Sequence, residues 1–285
     1  MAVKTVEIDN LINGQLYGFR MFPRNLKGQY QTRDDRGTAT ATPVAFSLPT
    51  YTGQHTIFGD INEGRIEMYT SGSLSLSAGT YDMFLVGGGA GGSWIDESRY
   101  FLCCGSGSGY TTTDTFRVTN NSKIFSVLVG SGGDVFTNGS VTSVKDKDNY
   151  YTKSANGGTC GDITGGAGSA YGGNGGSGGG AVRQSGGFDG SDGGGTTGGK
   201  GQGTTTRCSF NNTLYAGGSG GGDGDGLGGA GGGGRGAYAR NGIQAVAGTP
   251  NTGGAGGAGD SDGGAGNYKG AIGGSGIAIA RWKRN

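Results

Sequence analysis

The sequence predicts a mainly β protein: a β-sandwich interrupted by a large glycine-rich insertion, with almost no α-helix. Three observations carry this reading. Short apolar runs recur at roughly 8–12-residue spacing between turn signals. Glycine supplies 72 of the 285 residues, about a quarter, where roughly 7% is usual. No stretch keeps the i, i+3, i+4 apolar period of a helix.

The elements follow in order. Residues 1–42 form a first unit, an attachment hairpin or arm, in which Tyr17, Phe19 and Met21 alternate as in a half-buried strand. Pro23–Gly28 reads as a turn, and Thr38–Thr42 (TATAT) as a second, weaker strand. A lone hairpin is marginal in water, so this arm is expected to dock on something. Residues 43–62 are a linker and β lead-in. The third unit, 63–285, opens with strands at Ile66–Thr70, Leu74–Ser77 and Tyr81–Val86, with turns at Ser71–Gly72 and Ala78–Gly79. Gly109–Val118 and Lys123–Val129 read as a hairpin across Asn120–Asn121. Val141–Val144 is a further short strand, and Gly276–Lys283 (GIAIARWK) closes the set. Strands within 66–144 and 276–283 thus make a sandwich of jelly-roll, tumour-necrosis-factor-like type. The closing strand is expected beside the opening ones, bringing both ends of the glycine region to one end of the sandwich.

Between Gly157 and Gly276 lie 51 of the glycines, often in triplets: GGNGGSGGG at 172–180 and GGAGGAG at 253–259. Period three is the pitch of a polyproline-II-type helix. Collagen is excluded, because there are only 4 prolines and no Gly-X-Y register. One alternative is a flexible linker. Ordering glycine costs roughly 0.5–1 kcal/mol per residue relative to alanine. Order therefore needs dense lateral hydrogen bonding, at about 1 kcal/mol per net bond. The reading preferred is an ordered polyglycine II bundle over 157–275, entered at Gly87–Gly92.

The formal net charge is +1, with no basic run, which argues against nucleic acid and anionic membranes as partners. No apolar stretch approaches the ~18 residues of a spanning helix. The N-terminal MAVKTVEIDN has no apolar core, so no secretory signal is expected. Cys103, Cys104, Cys160 and Cys208 make neither a disulfide framework nor a zinc spacing. Gly87-x-Gly89-x-x-Gly92 follows a strand but lacks the helix and downstream acid of a dinucleotide site. Gly221–Leu227 departs from the calcium β-roll pattern, with Asp225 one place early and no nine-residue repeat. Asp189, Asp192, Asp223, Asp225, Asp260 and Asp262 read as solvated turn residues rather than calcium ligands. His55 is the only histidine and sits in a threonine-rich turn, and among Glu63, Glu67, Glu97 and the scattered aspartates no glycosidase-type carboxylate pair is selected by spacing. No catalytic residue, metal site or cofactor is therefore expected, and the chain does not read as an enzyme.

The inserts between glycine runs carry the aromatics and arginines of this half. Tyr, Arg, Asn and Ser at loop tips are the residues of adaptable binding surfaces. The candidates for receptor contact are Arg183, Phe188, Arg207, Phe210, Tyr215, Tyr238, Arg240 and Tyr268, and for attachment Leu11, Tyr17, Phe19 and Met21. The alternative for the aromatics, among them Tyr171, Phe188, Tyr215 and Tyr238, is that they plug the junction between sandwich and glycine region.

Two resemblances stand beside this reading. The spacing Leu11, Gly14, Tyr17, then Phe19, resembles the last third of a fibronectin type III module, roughly 40 residues where a whole sandwich needs ~100. Another copy or another protein would complete that sheet, unless it is a two-stranded arm. The chain from about Tyr51 to Trp282 resembles the glycine-rich domain of phage tail proteins. TSGSLSLSAGTYDMFLVGGGAGG, GSVTSV, the GG-x triplets and GGSGIAIARW carry the likeness. That domain is similar in plan to the glycine-rich region of the anaplastic lymphoma kinase ectodomain and to the tip adhesins of T-even-like phage fibres. The resemblance implies a virion tail-fibre or tail-tip protein, made in the host cytoplasm and released by lysis. It implies attachment to other tail or baseplate proteins through residues 1–42, a homotrimer, and recognition of a host-surface glycan or protein, with no membrane insertion. A structural tail or baseplate decoration protein is the competing expectation.

Overall fold

The computed structural model describes residues 17–20, 38–41, 46–94, 101–119, 122–148, 151–161, 163–165, 172–180, 207–222, 226–261 and 267–284. These form β1 (Tyr17–Arg20), β2 (Thr38–Ala41), β3 (Thr50–Tyr51), β4 (His55–Gly59), β5 (Glu63–Met68), β6 (Gly72–Leu76), β7 (Gly79–Val86), β8 (Phe101–Cys103), β9 (Thr111–Val118), β10 (Lys123–Leu128), β11 (Thr142–Asp146), β12 (Thr152–Ala155), β13 (Ile163–Gly165), β14 (Asp260–Ser261), β15 (Asn267–Tyr268) and β16 (Ile277–Lys283). A single turn of 3-10 helix at Ala239–Asn241 is the one helical element among the described residues.

Two five-stranded antiparallel sheets pack face to face as a β-sandwich, in the orders β4-β5-β16-β7-β9 and β12-β11-β10-β6-β3. Strand alternation builds the core between them. Ile66, Met68, Tyr81, Met83, Leu85, Ala278, Ala280 and Trp282 point in from the first sheet, and Leu74, Leu76, Phe125, Val127 and Val144 from the second. The aromatic tips keep polar partners, as buried Tyr and Trp require: Tyr81 Oη donates to the Ser77 carbonyl at 3.0 Å and Trp282 Nε1 to the Asp60 carbonyl at 2.9 Å.

β16 lies between β5 and β7, with Ile277 opposite Val86, so the glycine-rich region leaves and rejoins the sandwich at neighbouring points. The hairpin expected across Asn120–Asn121 is not formed. β9 pairs with β7 in one sheet and β10 pairs with β6 and β11 in the other, so the connection crosses between sheets. The turn signal is the same for a hairpin and for an inter-sheet corner; the free edge of β7 decides. The lead-in before residue 63 contains two strands, β3 and β4, and β12 was also missed. The 157–275 stretch is not uniform either. With β8 it supplies β13, β14 and β15 to a small third sheet, order β13-β8-β14-β15. β1 and β2 pair antiparallel, Tyr17 opposite Ala41 and Phe19 opposite Ala39.

Beyond Val86 the chain stays buried without entering a ladder. Gly87 and Ala90 donate to carbonyls of the 107–110 segment, Gly88 and Gly91 to the 137–140 segment, and Gly89 and Gly92 to the 271–274 segment, at 2.8–3.1 Å. The donors thus visit three neighbours and return to each at the third residue. Gly158, Gly133 and Gly256 donate to the carbonyls of Gly88, Gly89 and Ala90 in turn. What this requires of glycine is the missing side chain. A Cβ on Gly88 would fall well inside 3.0 Å of the Ser131 carbonyl oxygen, and only Gly59, Gly232, Gly242 and Gly253 among the described glycines have positive φ.

Candidate functional site

The outer face of the first sheet is half covered and half open. Its apolar part, Phe84, Val86, Ile277 and Ile279, is sealed by the insert Arg207–Ala216, whose Cys208, Tyr215 and Ala216 are buried against it. The insert is a compact loop. Arg207 bridges Leu214, Cys208 N donates to the Thr213 carbonyl at 3.0 Å, and Asn212 sits at φ 55, a conformation asparagine tolerates. Arg207 Nη1 ties the turn by donating to the Asn212 carbonyl and Oδ1 at 2.8 and 3.1 Å.

Where the insert ends, a polar row crosses all five strands: Phe58, Arg65, Arg281, Asp82 and Thr115 are successive register partners. Arg281 donates to Asp82 Oδ2 through Nε (3.2 Å) and Nη2 (2.6 Å), and Thr115 Oγ1 donates to Asp82 Oδ1 at 2.6 Å. Partial burial opposes the charged carboxylate, but the Thr115 and Arg281 hydrogen bonds and the Arg281 charge outweigh it and hold Asp82 below the usual range. The guanidinium of Arg65 stacks over Phe58 at 4.1 Å and that of Arg281 over Phe210 at 4.6 Å.

Beside this row Glu67, almost fully buried, fastens insert to sheet. It accepts from Arg65 Nε at 2.8 Å, Tyr69 Oη at 3.2 Å and Asn211 Nδ2 at 3.1 Å, and Asn211 Nδ2 also reaches Tyr215 Oη at 2.9 Å. Burial pushes the Tyr215 phenol up to about 12 and raises the Cys208 thiol, which stays protonated at neutral pH. Phe58, Gly59, Glu63, Gly64, Arg65, Phe210 and Arg281 enclose an open cleft of about 210 Å³.

Of the residues singled out from sequence, Arg207, Phe210 and Tyr215 come together here. Phe210 borders the cleft, whereas Tyr215 is 4% exposed and packs on Phe84. Tyr238, Arg240 and Tyr268 gather elsewhere. Tyr238 opens the short turn closed by its bonds to Ile243, Arg240 is exposed on it, and Tyr268 Oη lies near Gly242. Asp260, buried, accepts the Ala239 N–H of that turn at 2.7 Å. Arg183, Phe188, Leu11, Met21 and the remaining aspartates of the calcium question lie outside the described residues, and of Tyr17 and Phe19 the backbone alone is described. His55 is exposed and holds the Gly53 carbonyl through Nδ1 at 2.8 Å. Sequence reasoning weighed Glu63 and Glu67 only as members of a carboxylate pair, and missed Phe58, Arg65, Asp82 and Arg281. The alternation in EGRIEMYT, with Arg65, Glu67 and Tyr69 on the parity opposite Ile66 and Met68, was the available signal.

The fold is thus an antiparallel sandwich into which a long glycine-rich segment is inserted. The family model described as the glycine-rich domain matches residues 69–283, and the chain belongs to that family. The matched range begins after β4 and β5, so the Phe58–Arg65 end of the cleft lies before it. No curated protein matches the chain.

Proposed function

We propose that this chain is a bacteriophage tail-fibre or tail-tip protein whose glycine-rich half is a rigid bundle of polyglycine II helices presenting receptor-binding inserts. One observation supports the bundle above all. Donors in Gly87–Gly92 return to the same neighbour at every third residue, the period of that helix. A body fixed by backbone bonds leaves side chains free to vary where inserts emerge, which suits a binding platform. In this reading residues 1–42 attach the protein to the tail as a homotrimer, and the inserts meet a host-surface glycan or protein. The test is adsorption of purified protein to host cells, with exchange of the 182–189 or 204–215 inserts expected to abolish it. Failure to adsorb, with those inserts buried against other virion proteins in the assembled particle, would replace this reading with that of a structural decoration protein. The burial of Tyr215 and Cys208 favours that second role for part of the 204–215 insert.

A further inference from the structure

We infer that the cleft between Phe58 and Phe210 is a saccharide subsite that takes one neutral pyranose ring. Charge is the first argument. Among the described residues the two cations that line the cleft are matched by carboxylates, Arg65 by Glu67 and Arg281 by Asp82, and the lining Glu63 pairs with Lys283. Among the described lining residues a phosphate or carboxylate ligand would meet no unmatched positive charge and would have to compete with these pairs. A neutral ligand bearing both donors and acceptors meets no such competition.

Hydrogen-bonding capacity is the second argument. Arg65 uses Nε on Glu67, and Arg281 uses Nε and Nη2 on Asp82. The terminal nitrogens of Arg65 and Nη1 of Arg281 remain as planar donor groups at the cleft. Glu63, 57% exposed and held only by a 3.3 Å ion pair, offers carboxylate acceptors. Forked donors facing an acceptor match the vicinal hydroxyls of a sugar ring. Shape is the third. Phe58 is 39% exposed at the rim and Phe210 also lines the cleft; the Arg65 guanidinium covers one face of the Phe58 ring, and the negative potential of an aromatic face left exposed attracts the polarised C–H groups of a sugar. At about 210 Å³ the cleft is smaller than the ~300–1,000 Å³ of sites for drug-sized ligands, and its openness to solvent lets a longer glycan continue beyond one residue.

This inference does not rest on the virion reading, and the experiment uses purified full-length protein without cells. Saturation-transfer NMR would be recorded with the methyl glycosides of glucose, galactose, mannose, N-acetylglucosamine and N-acetylgalactosamine, and with N-acetylneuraminic acid and methyl phosphate as anionic probes. The expected result is millimolar binding of at least one neutral pyranoside. Affinity should fall by about tenfold in Phe58→Ala, equivalent to ~1.4 kcal/mol, and measurably in Glu63→Gln, a surface change that leaves the fold intact by thermal melting. Saturation transfer to none of the probes would overturn the inference. So would preference for methyl phosphate or N-acetylneuraminic acid, or neutral binding that neither substitution alters.

Discussion

Gly88→Ala tests whether the glycine segments are packed or merely long. The new methyl carbon would have to occupy the place of the Ser131 carbonyl, so one segment must move. Three backbone bonds join the segments at this point: Gly88 N to Ser140 O at 2.9 Å, Gly158 N to Gly88 O at 3.0 Å and Ser140 N to Ser131 O at 3.0 Å. Losing them costs about 1 kcal/mol each, and the overpacking adds ~1–3 kcal/mol. The expected destabilisation is therefore about 4–6 kcal/mol. In a loose linker alanine restricts the folded and unfolded chains alike, so the same substitution leaves stability within about 0.5 kcal/mol of the parent. The two pictures thus differ by several kcal/mol. Urea unfolding followed by tryptophan fluorescence, with Trp282 buried in the core, should show the midpoint falling by about 2 M for slopes of ~2–3 kcal/mol/M. Gly79→Ala is the control: its Cβ would meet the Phe46 and Tyr81 rings at an ordinary 3.5 Å. If Gly88→Ala unfolds at the same or higher urea than the parent, the close-packed account is wrong.

Asp82 should contribute to acid sensitivity. Its folded pKa lies below the unfolded value, so its contribution is present above about pH 4 and is lost as pH falls through the folded pKa. Asp82→Asn should flatten that part of the stability–pH curve; an unchanged acid limb would contradict the pairing. Tyr51 and Tyr215, pushed to about 12 by burial, favour the neutral phenol. Their contribution holds below about pH 10 and is lost as pH rises through 12, so absorbance titration near the phenolate band should show late ionisation that coincides with unfolding. Asn211→Ala removes the shared donor to Glu67 and Tyr215, and should cost about 1–3 kcal/mol and loosen the insert, read as faster amide exchange in 208–216. Protection equal to that of the parent would show that Glu67 does not hold the insert.

The apolar strands were legible because their alternation states both strand and face. YDMFLV reads as one buried strand, and most of it is: Tyr81, Met83 and Leu85 face the core and Phe84 and Val86 meet the insert, while Asp82 stays half-exposed on the outer face. Sheet assignment was less legible. Asn120–Asn121 marks a reversal but carries no information about which edge the next strand will find. The cleft was hidden for a related reason. Phe58 and Asp82 are far apart in sequence and become parts of one row only when β16 supplies Arg281 between Arg65 and Asp82. β14 and β15, two residues each, are too short for alternation to mark them.

The placement of β16 has a consequence for how the protein is made. β5 and β7 are synthesised together, yet the strand that joins them leaves the ribosome about 190 residues later, from Val86 to Ile277. Until then β5 and β7 flank a slot with an open hydrogen-bonding edge on each side, and Ile66, Met68, Met83 and Leu85 lack Ala278 and Ala280 beside them in the core. Such late, long-range closure is slow and exposes adhesive strands meanwhile. The nascent chain should therefore depend on holding chaperones until GIAIARWK emerges, and excess free peptide of that sequence should compete for the slot during refolding.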